Sequence, residues 1–209
     1  MPAEYPLWEA WWAAGRPGAM TPMEFESAMN DWVSGDTHSG PEPSEKLAGY
    51  TRLNAVRMRR VAKTYRMSEP MQAFLDSGEC RGQHWVVITE SWCGDAVQVS
   101  PLISIWAERA GASLELALRD GAHAIIEDFL TLGGKAIPKW IVSDDRGGVL
   151  AHWGPRPSTA HQMVAAYRAL PEPKPAYAEF AAGVQLWYAK DRGRELEKEA
   201  LELLRTSVG

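Results

Sequence analysis

A sheet of mixed α/β type, covered by helices on both faces and flanked by helical segments, is predicted by the order of patterns along the chain. Three observations predict it. His84 to Glu90 (HWVVITE) is a short β-branched run, Ala96 to Ala110 is a helical stretch interrupted by Pro101, and Leu114 to Leu118 is a second strand pattern. Lys139 to Ser143 and Val149 to His152 flank Asp144-Asp145-Arg146-Gly147-Gly148, a hairpin signature. Helix-start signals then recur in the segments before and after this block.

In chain order, residues 1 to about 78 read as helical. Thr21-Pro22 followed by Glu24 is a cap, a first-turn proline and a capping-box glutamate. Ser44 caps a long segment carrying Leu47, Tyr50, Met58, Val61 and Tyr65 at helical spacing. Met67 to Leu75 makes one more short helix, stopped by Gly78. Within the sheet block, His123 to Leu130 reads as a helix ended by Gly133-Gly134. Ser158 is the expected cap of a helix running to Leu170. Pro171, Pro173 and Pro175 mark a linker, and the tail from Tyr177 is helical, with a charged run from Asp191 to Glu202. The expected division is a helical extension (1–78), a sheet domain (79–170) and a second helical extension (171–209) packing on the core.

Composition narrows the function classes. The 209 residues carry 22 basic and 27 acidic side chains, a net charge of −5, with 45% hydrophobic residues. This is the profile of a soluble globular protein and not of a general nucleic-acid binder. Two cysteines, Cys80 and Cys93, exclude a disulfide-stapled scaffold. The five histidines show no HxxxH or HxH spacing, so no metal site is expected. No apolar run approaches the roughly 20 residues that span a bilayer. Nor does the N-terminus, with Glu4 and Glu9, read as a signal peptide. A cytoplasmic protein without membrane or nucleic-acid partners is the expectation.

Trp92-Cys93-Gly94-Asp95-Ala96, between a buried strand and a helix, resembles the thioredoxin superfamily, whose usual motif there is Trp-Cys-Gly-Pro-Cys. Ile137-Pro138, just before a strand, is similar to the family's cis-proline, and Gly154 falls in a loop that the family places beside its active site. The resemblance covers roughly residues 84 to 170. The longer strings ESWCGDA, GGKAIP and WGPRP are also similar to uncharacterised bacterial thioredoxin-like proteins. The resemblance implies a thioredoxin-like fold, with Cys93 as nucleophile and Trp92, Gly94, Asp95, Ile137, Pro138 and Gly154 lining a substrate groove. It also places three cations near Cys93, namely Arg119, Lys135 and Arg156, as candidate anion-binding residues. For each of these, ordinary surface pairing is the competing explanation, such as Arg119 with Asp120.

The departures from the family pattern are chemical. The resolving cysteine falls on Ala96, and the family's buried aspartate falls on Val87. A helix N-terminus favours a thiolate at Cys93, while Asp95 opposes it, and the sequence does not sign the sum. Two readings of Cys93 stand side by side. One is a monothiol redox or thiol-exchange nucleophile acting on a thiol or disulfide substrate, with glutathione as candidate co-substrate and no resident cofactor. The other is a noncatalytic interaction module with a protein partner. Cys80 precedes the first strand and Cys93 follows it, about 20 Å away at ~3.3 Å per residue, so the two are not expected to pair.

Two further features stand out. Arg52, Arg57, Arg59, Arg60, Lys63 and Arg66 form a basic segment that reads as a docking face for an anionic partner, as a solvated face or, the preferred expectation, as the partner of Glu195, Glu197, Glu199 and Glu202 of the tail. Among ten tryptophans, Trp8, Trp11 and Trp12 cluster at one helix face, expected as core or lid packing, with an interface as the sharper alternative.

Overall fold

The capping signals before the sheet act as read. The computed structural model describes residues 4–121 and 123–208. Helix α1 (Pro6–Ala13) is followed by α2 (Pro22–Ser34), opened by a complete capping box in which the Thr21 hydroxyl accepts the Glu24 N–H and the Glu24 carboxylate accepts the Thr21 N–H. Such a cap is worth about 1 kcal/mol. Ser44 caps α3 (Glu45–Thr64), and Ser68 caps α4 (Glu69–Asp76).

Strand β1 (His84–Thr89) runs parallel to β2 (Ser113–Leu118) and antiparallel to β3 (Lys139–Ser143), which pairs antiparallel with β4 (Val149–Trp153). The resulting order is β2-β1-β3-β4. Helix α5 (Ala96–Ala110) crosses over from β1 to β2 and ends on Gly111 in the left-handed conformation. Three helices follow the sheet: α6 (Ser158–Ala169), α7 (Tyr177–Asp191) and α8 (Arg194–Ser207). Among the described residues these make eight α-helices and a four-stranded mixed sheet.

Because side chains alternate along a strand, β1 feeds two cores. Trp85 and Val87 point into one cluster with Phe25, Leu102, Trp106 and Leu204. Val86 and Ile88 point into another with Trp8, Trp11, Phe129 and Cys93. The first cluster draws side chains from before, within and after the sheet block. The tryptophan cluster is core packing: Trp8 is fully buried and its indole N–H donates to the Gly147 carbonyl at 2.7 Å.

Three expectations are corrected. The helix expected over His123 to Leu130 is a five-residue 3₁₀ segment, Ile125–Phe129, because Ala124 adopts a left-handed conformation. Ser158 does not cap α6. It is the first helical residue, and its hydroxyl and N–H both donate to Glu199. Nor do the tail glutamates meet the basic segment. Glu197 binds the Tyr65 hydroxyl and the Ser68 N–H, Glu195 accepts the Thr159 N–H, and Glu199 accepts the Trp153 indole N–H. Arg52 pairs instead with Asp36, and Arg57 donates to Asn54. Glu195, Glu197 and Glu199 thus clasp other elements, while Lys198 and Glu202 stay exposed.

Candidate functional site

Cys93 lies in the turn between β1 and α5. The turn is fixed from behind by α3 and the segment before it. The Ser91 N–H donates to the Ser39 hydroxyl and the Ser39 N–H to the Ser91 hydroxyl, at 2.9 and 3.0 Å. The Thr51 and Ser91 hydroxyls lie 2.9 Å apart, and the Asn54 amide donates to the Ser91 carbonyl at 3.0 Å. Glu90, fully buried, accepts from the Ser39 hydroxyl and from the Asp120 N–H. Burial raises the Glu90 carboxyl above its ordinary value, against these two hydrogen bonds.

The thiol itself is 8% exposed. Its Sγ–H donates to the Ile137 carbonyl at 3.4 Å, and Sγ accepts the Ala96 N–H at 3.5 Å. Burial first, and the Asp95 charge second, push Cys93 up to about 12, overriding the Ala96 and Asp95 N–H groups and Arg156. Cys80 is also pushed up, to about 11, by burial and by Glu79. Cys80 and Cys93 sit in the two different clusters, and both are free thiols.

Asp95 is held on both oxygens. Arg156 Nε and Nη2 donate to Oδ2 at 2.9 and 2.6 Å, and the Tyr188 hydroxyl donates to Oδ1 at 3.0 Å. Beside it, Gln185 Nε2 donates to the Gly94 carbonyl at 3.0 Å, while its Oε1 accepts from Gln98 at 2.7 Å. A Cβ at Gly94 would come within 3.2 Å of that Gln185 amide. Helix α7 therefore lies against the Cys93 turn.

Opposite, the Ile137–Pro138 and Gly154–Pro155 peptides are cis. Gly154 adopts φ +126°, and a Cβ there would stand 2.2 Å from the Pro138 carbonyl oxygen, so only glycine fits. The three candidate cations separate. Arg156 reaches the motif through Asp95. Arg119 lies 4.8 Å over the Trp92 ring and pairs with Asp120. Lys135 pairs with Glu127 at 2.6 Å, half-exposed. Among the described residues no helix is long and apolar enough to cross a membrane.

Sequence reasoning missed Thr51, Asn54, Ser39, Gln185 and Tyr188. A signal existed for the first two: Thr51 and Asn54 are polar positions three apart on an α3 face that otherwise buries Ala48 and Ala55. Ser39, Gln185 and Tyr188 come from distant chain segments and carried no local signal.

No curated protein matches the chain. Among solved structures, an HIV epitope scaffold shares 16% identity with a TM-score of 0.51, covering 89% of this chain and 98% of its own. A Pseudomonas aeruginosa protein of unknown function shares 17% identity with a TM-score of 0.40, covering 82% and 98%. A family model described as thioredoxin matches residues 40–168, more than half of the chain and inclusive of α3, β1 to β4 and the Cys93 turn. The chain belongs to the thioredoxin family.

Proposed function

We propose that the protein is a monothiol thiol-exchange protein acting through Cys93, with the thiol kept protonated until α7 moves off the Gly94–Asp95 turn. The observation that carries this reading is the placement of the Cys93 sulfur against the Ile137 carbonyl, one residue before Pro138, at the start of a 15-residue helix. Once ionised, the sulfur attacks one sulfur of a disulfide. The S–S bond breaks, the leaving thiolate takes up a proton, and a mixed disulfide forms on Cys93. With Ala96 in the resolving position, a second thiol from solution must release that adduct, with glutathione as the natural co-substrate class. Trp92, Gly94, Asp95, Ile137, Pro138 and Gly154 would border the substrate. Arg156 acts as a positioning residue for Asp95, and Arg119 supports Trp92.

One observation favours a second reading, a noncatalytic interaction module: a thiol pushed up to about 12 is almost wholly protonated at neutral pH. Oxidised glutathione separates the two. Mass spectrometry of a Cys80→Ser variant should find one glutathione adduct on Cys93 in the native protein, removed by reduced glutathione. If only denatured protein accepts the adduct, the exchange reading falls and the module reading stands.

A further inference from the structure

The groove beside Gly154 holds a lysine with no counter-ion. Lys139, the first residue of β3 after Pro138, is 3% exposed. Its ammonium donates to the Thr131 hydroxyl at 2.9 Å and to the Gly154 carbonyl at 3.4 Å. Among the described residues no carboxylate lies within ion-pair distance of it; the ion pairs formed elsewhere use other partners. An ammonium has three donors, and two neutral acceptors leave one proton and the whole charge uncompensated. Burial holds the Lys139 ammonium below its ordinary range, the cost of a buried cation without an anion, and a bound anion would offset that cost.

What surrounds Lys139 is an open groove of about 690 Å³, lined also by Thr131, His152, His161, Arg156 and Glu199. Its one carboxylate, Glu199, is held by neutral donors and forms no ion pair with Lys139. Glu199 Oε2 takes the Trp153 indole N–H, and Oε1 takes the Ser158 N–H and hydroxyl. Arg156 is spent on Asp95. The polar side chains left facing the groove are Lys139, two imidazoles, His152 on β4 and His161 on α6, and the Gln162 amide. His152 is held below its ordinary value by burial and by the Lys139 charge, which indicates that the ammonium acts on the groove wall. Each of these side chains can present at least one N–H to the groove. An anion is the complement.

We infer that this groove is a binding site for a small oxyanion, a carboxylate or phosphate group, held by the Lys139 ammonium with His152 and His161. The site adjoins Gly154, on the border assigned above to the substrate, and needs no thiol chemistry. The oxyanion accepts the third Lys139 proton and imidazole N–H groups, and the ion pair replaces the missing counter-charge. Thr131 and the Gly154 carbonyl keep the ammonium aimed.

The test uses the full chain with Cys93→Ser, so that failure of the exchange reading leaves it intact. Proton NMR of the histidine rings is followed while sodium phosphate, and separately sodium succinate, is titrated at constant ionic strength against sodium chloride. Saturable shifts confined to His152 and His161 are expected with at least one oxyanion, and which of the two produces them identifies the group. Lys139→Met should weaken that binding at least about tenfold, as loss of a charge-assisted contact does. His161→Ala, half-buried on α6 and less demanding of the fold, should weaken it at least about threefold. Shifts equal to those in chloride, or unchanged affinity in either variant, would overturn the proposal.

Discussion

The surroundings of Cys80 and Cys93 differ in kind, although both thiols are buried and both are pushed above their ordinary range. Cys80 sits in the larger cluster, among Leu75, Trp85 and the α8 leucines. Exposing it means opening the core. Cys93 lies at the rim of the second cluster, and the cover over its turn is polar: Gln185 on the Gly94 carbonyl, Tyr188 and Arg156 on Asp95. A hydrogen bond exchanges readily with water and contributes only about 1 kcal/mol net, whereas a buried aromatic contributes several times that. The comparison teaches that equal burial need not mean equal accessibility. One thiol is shut in by packing and the other by a fastening that can be released.

The largest expected effect comes from Gly154→Ala, which drives a Cβ into the Pro138 carbonyl at a positive φ. We expect a loss of about 3 kcal/mol or more, read as a lowered midpoint in urea. In the partly destabilised protein Cys93 should become alkylatable before Cys80. Simultaneous exposure of both thiols would remove the distinction between the two regions.

Next in size is the cover itself. Tyr188→Phe combined with Gln185→Ala removes two hydrogen bonds to the Cys93 turn without touching the Cys80 cluster. Native-state alkylation of Cys93 should rise roughly tenfold, at about 0.5–1.5 kcal/mol per bond, and that of Cys80 should not change. A rise at neither thiol would mean that packing, and not α7, controls access.

The smallest effect is on pH dependence. Folding holds both thiols protonated, with native values about 11 and about 12 against about 8.5 in an unfolded chain. The unfolded state therefore loses protons first on raising the pH. The stabilising contribution is complete below about pH 8.5 and declines as pH rises through the native values. Urea midpoints between pH 8 and 10.5 should fall for the wild type and fall less steeply for Cys80→Ser and for Cys93→Ser. A Cys93→Ser slope equal to that of the wild type would contradict the burial of that thiol.

Much of this architecture was legible locally. Thr21-Pro22-x-Glu24, the β-branched run of β1, and the Asp144 to Gly148 turn each act through neighbours a few residues away, and each produced its element. The 3₁₀ segment was missed because Ala124 takes a left-handed conformation that nothing in its own composition signals. Likewise the glutamates of α8 read as partners of the basic segment, because their actual partners Tyr65, Ser68, Trp153 and Ser158 lie far away in the chain.

By itself, then, the sequence determined the α/β order, the helix starts, the single cysteine in a thioredoxin-type turn and the absence of its resolving partner, since all of these depend on residue type and short spacing. Only the tertiary structure decided the burial of that cysteine, the fastening of its turn to α7 and the isolation of the Lys139 charge. Each of these is a balance between burial and a partner supplied from a distant segment. Desolvation acts over a few ångströms of space, whatever the separation along the chain.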